Sequence, residues 1–263
     1  MPRERVIYYS DEARDDFAGT HIHTKRVGAD FPYNHTSVLW NAAAFLLYYV
    51  VAVPIVFLIS RLYLGLRFEN RRELRKLRNT GYYIYGNHTR NLDAFVPSMA
   101  AFPKKASIIA NPDAVSLPFL RNVVQMLGAI PIPTEFAGMR PFMEAVYACR
   151  AKGGCVAIYP EAHVWPFYTG IRPFPDTSFR YPVRDGAPVV AMVTTYRKRT
   201  GLFRFCKRPG MTITFSAPIL ADPALSPKKA QEELRDRVYD FMVEVSSQKE
   251  NVEYVRYEPL RRC

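Results

Sequence analysis

Cysteine is scarce in this chain: Cys149, Cys155, Cys206 and Cys263 are the only four among 263 residues. None forms a Cys-x-x-Cys pair or has a histidine at metal-ligand spacing, which excludes a disulfide framework and a zinc module and implies free thiols in a reducing compartment. Cys263 ends the sequence as Arg261-Arg262-Cys263, so it does not match the fourth-from-last cysteine of a prenylation signal. There is no His-Glu-x-x-His, no internal repeat and no low-complexity linker. A formal net charge of +12 invites a nucleic-acid partner, yet the basic residues belong to no nucleic-acid module, and no nucleic acid is expected. What the chain has in abundance is apolar material, 49% hydrophobic and 14% aromatic, enough for a core of catalytic size plus an appendage.

From Trp40 to Ile59 no residue is charged, and only Asn41 and Pro54 interrupt a run of Ala, Leu, Val, Ile, Phe and Tyr. A helix of about 20 apolar residues crosses a hydrocarbon core, and this stretch has that length. It lies too far behind a mostly polar segment to be a cleavable signal peptide. Pro54 predicts a kink, so a segment that dips into one leaflet and returns stands beside a full crossing. Arg61, Arg67, Arg71, Arg72, Arg75, Lys76 and Arg78 follow, against Glu69 and Glu73. This collar predicts that the C-terminal side is cytoplasmic and meets anionic lipid. Three segments follow: a polar N-terminal segment 1–37, a membrane helix with basic collar 38–79, and an α/β domain 80–263.

Beyond residue 80, strand-like and helix-like runs alternate, predicting an α/β fold with a mostly parallel central sheet flanked by helices and preceded by a membrane-embedded helical segment. Strands are expected at Tyr82 to Gly86, Ala106 to Ala110, Ala129 to Ile132, Cys155 to Tyr159, Val189 to Thr195 and Met211 to Phe215. Ser116-Leu117-Pro118 can start a short helix, and Arg140-Pro141 a longer one ending at Gly153-Gly154. Ser226-Pro227 open a last helix whose Leu234, Val238, Phe241, Met242 and Val245 form one apolar stripe. Residues 160 to 186, rich in Pro, Gly and aromatics without periodicity, read as a working loop.

Chemistry concentrates in Asn87-His88-Thr89-Arg90-Asn91-Leu92-Asp93. The strand before it and a helix N-capped by Asn91 put His88 in the connecting turn, where Asp93 can fix its tautomer and stabilise the imidazolium. An internal control supports the selection: Asn34-His35-Thr36 repeats the tripeptide, but the fifth residue beyond His35 is Trp40. A second constellation, Pro160-Glu161-Ala162-His163, follows the strand at Cys155 and sits on the same rim.

In this order and behind an apolar segment, these motifs resemble the glycerolipid acyltransferases, the family of 1-acylglycerol-3-phosphate (lysophosphatidic acid) acyltransferases, over about residues 80 to 217. His88 and Asp93 match its His-x4-Asp motif, with Asn87 before the histidine. Tyr159-Pro160-Glu161-Ala162 matches Phe-Pro-Glu-Gly, and Ala187-Pro188-Val189-Val190-Ala191-Met192-Val193 resembles its Pro-containing hydrophobic strand. Two departures stand out: the Gly-x-Ile-x-Ile-x-Arg-like motif is Gly128-Ala129-Ile130-Pro131-Ile132-Pro133-Thr134 without the arginine, and Ala162-His163-Val164 replaces Gly-Thr-Arg. Arg172, or Arg197-Lys198-Arg199, is the expected substitute for those phosphate ligands.

The resemblance implies a membrane enzyme of phospholipid biosynthesis that moves an acyl group from acyl-CoA or acyl carrier protein to a lysophospholipid hydroxyl, most simply that of 1-acylglycerol-3-phosphate. His88 is the expected general base, Asp93 its orienting acid, and Asn87, Glu161 and Arg172 the substrate-binding residues, with no bound cofactor and no metal. Backbone N–H groups at 160 to 163 are expected to hold the oxyanion, and Tyr159, Trp165, Phe167 and Tyr168 to line the acyl or headgroup path. Two competing readings use the same residues differently. A metal-dependent hydrolase would ligate through His88, Asp93, Glu161 and His163, and a lipid-binding adaptor would need only the basic apolar segment.

Overall fold

The structure, a computed structural model, describes residues 5–19, 23–117 and 119–260. The C-terminal Arg261-Arg262-Cys263, and Pro118 of the expected helix start, lie outside the described residues. Among the described residues, nine strands form two sheets: β1 (Arg5–Tyr9), β2 (Arg67–Glu69), β3 (Tyr82–Gly86), β4 (Ala106–Ala110), β5 (Ala129–Pro131), β6 (Cys155–Ile158), β7 (Val189–Arg197), β8 (Gly210–Phe215) and β9 (Val255–Pro259). The central sheet runs β2-β8-β7-β3-β6-β4-β5. Five neighbouring strands, β7, β3, β6, β4 and β5, are parallel, whereas β8 runs antiparallel to β7 and carries β2 at its outer edge. The α/β architecture with a mostly parallel sheet is therefore present.

Every residue of β3 is buried, because helices cover both faces of the sheet, as parallel sheets require. The period of two sorts its side chains. Tyr83 and Tyr85 join a core with Phe142 and Val146 of the Met139–Ala151 helix and Leu234, Val238 and Met242 of the Pro227–Gln248 helix. Tyr82 and Ile84 face the opposite core with Val96, Met99 and Ala100 of the Val96–Ala101 helix.

The expected short helix begins later, at Arg121, because residues 112 to 115 first make a 3-10 turn capped by Asn111, whose side chain accepts from the Asp113 N–H. The stretch 160 to 186 is irregular up to a 3-10 turn at Thr177–Phe179 and a short helix at Arg180–Asp185.

The apolar segment is one helix, Val38–Leu64, long and apolar enough to cross a membrane by length and composition. Pro54 does not break it. Wide π-type turns at Leu46–Ala52 precede the proline, so its missing N–H falls where the helical register has already slipped. Gly65, in the left-handed conformation at φ 57°, ends the helix. Ala44, Tyr48, Ser60 and Leu64 form a narrow buried stripe, with Val56 packed against the core between them. The Tyr48 hydroxyl accepts from the N–H of Ala106 in β4 at 2.9 Å, and the Tyr49 hydroxyl donates to the carbonyl of Pro103 at 3.1 Å. The other faces, including Leu39, Leu46, Val50, Ile55, Phe57, Leu58 and Leu62, are exposed.

β1 pairs in parallel with β9, placing Arg5 opposite Val255. The N-terminal segment is thereby folded onto the α/β domain, and β2 of the basic collar is a strand of its main sheet.

Candidate active site

β3 and β6 lie side by side, and the loops leaving their C-terminal ends build the site. At Gly86 a Cβ would come within 2.8 Å of Met192 Cε and 3.0 Å of Tyr159 Cε1, so a larger residue there would push on the Tyr159 ring that flanks His88. Asn87 extends the sheet by side chain: its Oδ1 accepts from the Thr194 N–H at 2.8 Å, and its Nδ2 donates to the Thr194 carbonyl at 3.1 Å.

Asp93 organises the turn that carries His88. Its Oδ2 accepts from the backbone N–H groups of Thr89 and Arg90, each at 2.7 Å, and from the Thr89 hydroxyl at 3.3 Å. The same oxygen lies 3.5 Å from His88 Nδ1. That separation is longer than a tight hydrogen bond, and catalytic hydrogen bonds in ligand-free sites commonly shorten when substrate binds. The helical turn Asn91–Phe95 has Arg90, not Asn91, at its N-cap. The cap sits one residue earlier than expected because the carboxylate three positions beyond Arg90 takes the Arg90 N–H; Asn91 instead donates to the Ala18 carbonyl at 3.3 Å.

The His88 ring stacks on Tyr159, centroids 4.5 Å apart and planes at 25°. The Tyr159 hydroxyl donates to the Asp93 carbonyl at 2.5 Å. Nδ1 is the buried ring nitrogen, which leaves Nε2 to meet a ligand. Asn87, Asp93, Glu161 and Arg172 are all buried, whereas the His88 side chain is 16% exposed. Of the expected site residues, His88 is the one with access to solvent.

Glu161 and Arg172 meet each other. Glu161 Oε2 accepts from Arg172 Nη2 at 3.1 Å and from the His88 N–H at 3.2 Å, while Oε1 accepts from the Arg172 N–H at 3.1 Å. Burial pushes the Glu161 carboxyl above its ordinary range, against the opposing pull of Arg172 and the two backbone donors. Arg172 also donates to the carbonyls of His163 and Glu12 and lies 4.9 Å over the Trp165 ring. The expected substrate-binding residues Asn87, Glu161 and Arg172 are thus brought to His88, but their polar groups face protein, so Arg172 is not positioned as a free phosphate ligand. His163 turns toward Asp16, 3.9 Å away. Among the described residues, His88, Asp93, Glu161 and His163 do not converge as a ligand set.

The 160 to 163 turn also differs from expectation. The Ala162 N–H donates to the Tyr159 carbonyl and the His163 N–H to the Glu161 carbonyl, and Pro160 has no N–H. Both donors are consumed by the turn itself, because Ala162 adopts the left-handed conformation at φ 63° and folds the chain back. Only the Glu161 N–H of this group lacks a partner among the described residues. Trp165 is fully buried rather than part of a path, and Phe167 lies under the Arg90 guanidinium at 4.9 Å. Three supporting contacts are not foreseen from the sequence: the Tyr196 hydroxyl donates to Thr89 Oγ1 at 2.7 Å, and Trp165 and Phe167 donate their backbone N–H groups to the His88 and Thr89 carbonyls. No sequence spacing marks these contacts, since they join residues on separate strands and loops.

The acyltransferase family model matches residues 65–195, spanning β2 through the part of β7 that clamps Asn87. The chain belongs to the acyltransferase family. Its fold is similar to that in the crystal structure of the 1-acyl-sn-glycerophosphate (LPA) acyltransferase PlsC from Thermotoga maritima, with a TM-score of 0.51 and 14% sequence identity, covering 81% of this chain and 99% of that one. No curated protein matches significantly. As an acyltransferase, the protein carries its His-x4-Asp residues at the rim where the two loops meet. Thr134, at the place of the arginine in the Gly-x-Ile-x-Ile-x-Arg-like motif that residues 128 to 134 resemble, accepts the Val27 N–H through its hydroxyl and donates its own N–H to the Val27 carbonyl, each at 3.0 Å.

Proposed function

We propose that this acyltransferase transfers a fatty acyl group from a thioester donor, acyl-CoA or acyl carrier protein, to the hydroxyl of a lysophospholipid, most simply 1-acylglycerol-3-phosphate, in phospholipid biosynthesis. The observation that carries the reading is the oriented His88: Nδ1 faces the Asp93 carboxylate while the ring keeps a solvent-exposed edge. Nε2 takes the acceptor's hydroxyl proton as its oxygen attacks the thioester carbonyl. The tetrahedral intermediate then expels the thiolate, which recovers the proton from the imidazolium. Asp93 stabilises that imidazolium, and no enzyme nucleophile is needed. The Glu161 N–H is the candidate oxyanion donor. Asn87, Glu161 and Arg172 act by positioning, fixing the His88 backbone from two sides.

The membrane supplies both amphiphiles. The Val38–Leu64 helix offers a broad exposed apolar surface while one stripe packs along the domain, which favours a helix lying in one leaflet over one standing free across the bilayer. The basic collar that follows argues for the cytoplasmic face.

The test is acyl transfer from labelled acyl-CoA and acyl carrier protein to a lysolipid panel, comparing wild type with His88→Ala. General-base catalysis contributes about 10² to 10⁴ in rate, so the variant should fold, bind membranes and lose at least about 10² of kcat. Retention of more than about a tenth of the wild-type rate removes the base assignment.

A further inference from the structure

A cavity of about 340 Å³ opens where the apolar helix ends, lined by Arg61, Leu62, Arg67, Arg197, Arg199 and Phe203 with Gly65, Leu66 and Thr200. Four arginines therefore line one small space, and among the described residues none of the four forms an ion pair with a carboxylate. Two form the fixed wall. Arg199 donates to the Arg208 carbonyl at 2.9 Å, to that of Leu62 at 3.5 Å and to that of Tyr63, and Arg197 donates to the Gly65 carbonyl. Burial lowers the affinity of Arg197 for its proton, and the charges of Arg67 and Arg199 add to that effect, against a smaller opposing pull from Glu250. The Arg61 and Arg67 side chains make no hydrogen bond to protein among the described residues. Such a cluster costs repulsion and desolvation that an anion would relieve, and guanidinium forks suit phosphate oxygens.

Position separates this cavity from the catalytic loop. Consecutive residues of a strand point to opposite faces. Arg197 is the last residue of β7, and its side chain turns to the Gly65 carbonyl at the end of the apolar helix, whereas the His88 turn is met by its neighbour Tyr196 through Thr89. The rim is apolar as well as basic: Leu62, Tyr63, Phe203 and Phe205 are exposed beside it, and Arg61 and Leu62 belong to the last turn of the exposed apolar helix.

We infer that this cavity binds the phosphate of an anionic membrane phospholipid, whose chains run beside the apolar helix, as an anchoring site distinct from the catalytic centre. The inference rests on the bilayer seating proposed above. Loss of Arg61 and Arg67 removes two contacts without disturbing the wall, and should weaken headgroup binding about 30-fold, from about 1 kcal/mol per basic residue at an anionic surface.

The test uses the full chain in neutral detergent with dioctanoyl phosphatidylglycerol as the probe, and dioctanoyl phosphatidylcholine and inorganic phosphate as competitors. The variants are R61Q/R67Q and a charge-matched R75Q/R78Q on the same collar. Saturable binding that falls only in R61Q/R67Q, with both competitors weak, establishes the site. Equal loss in R75Q/R78Q reveals diffuse attraction and overturns it, as does absence of saturable binding. Inorganic phosphate competing as well as the lipid also overturns it, in favour of a bare anion site. Flotation on phosphatidylcholine vesicles reads the seating separately: failure to float with phosphatidylglycerol binding intact rejects the bilayer seating and keeps the site.

Discussion

Ala162 is held at φ 63°, a conformation that costs an L-residue about 1–2 kcal/mol and a glycine almost nothing. The resemblance that includes Tyr159-Pro160-Glu161-Ala162 has glycine at this place, and the left-handed turn gives the physical reason. Ala162→Gly should raise stability by about 0.5–1 kcal/mol, the relief of strain less the added entropy of an unfolded glycine. Thermal unfolding checks this, with an increase in midpoint of about 1–4 °C expected. Its neighbour Glu161 behaves oppositely. Glu161→Gln turns one of two acceptor oxygens into a donor facing Arg172 and the backbone N–H groups, and should cost about 1–3 kcal/mol of stability. The pH response distinguishes this from generic damage. Burial raises the Glu161 carboxyl in the folded state, so its contribution to stability is complete below the unfolded pKa of about 4.3 and is lost as pH rises through the raised folded value. Gln does not titrate, so a plot of unfolding midpoint against pH should lose that decline in the variant.

Among the elements, the Val38–Leu64 helix shows two kinds of residue at one-turn spacing, and substitution should separate them. Tyr48→Phe removes the acceptor of the Ala106 N–H and should cost about 1–3 kcal/mol of stability without altering membrane affinity. Val50→Lys with Phe57→Lys, both on the exposed side, should leave the unfolding midpoint nearly unchanged and abolish flotation with phosphatidylcholine vesicles. If the double variant still floats, the exposed apolar face does not seat the protein. The strands β3 to β7 were legible because burial on both faces favours apolar runs rich in Val, Ile, Tyr and Ala, and β8 by the alternation Met211-Thr212-Ile213-Thr214-Phe215. β1, β2 and β9 were not: Arg5–Tyr9, Arg67–Glu69 and Val255–Pro259 mix charge with aromatics and lie at edges, where their partners rather than their composition define them. The site divides in the same way. His88 and Asp93 lie within one turn, and local spacing reveals them; the pairing of Glu161 with Arg172 depends on how a long loop returns across the rim, and no local pattern encodes it.

Across the whole molecule, the N-terminal segment acts as a strap over the catalytic loops. The Trp165 indole N–H donates to the Asp15 carbonyl at 2.8 Å, the Val164 N–H to Asp16 Oδ1 at 3.1 Å, and the Phe17 N–H to the Val164 carbonyl at 3.1 Å. Arg172 reaches the Glu12 carbonyl at 3.3 Å. Tyr9 and Phe17 pack on the Trp165 ring, with Tyr257, from the strand that pairs with β1, stacked at 4.7 Å. Trp165 in turn donates its backbone N–H to the His88 carbonyl, so the strap and His88, the base proposed above, are joined through one buried residue. Deleting residues 1–19 should therefore leave the central sheet and the apolar helix intact, since neither contains those residues, but free the 160 to 167 loop. Misplacement of about 1 Å costs on the order of 10² in rate, so kcat should fall by that order while vesicle binding persists. Trp165 fluorescence, read in a Trp40→Phe background, should shift to the red as the indole meets water. A truncated chain with wild-type kcat and a blue Trp165 would show that the loop holds its shape without the strap, leaving Glu161, Arg172 and the His88 carbonyl sufficient to position the base.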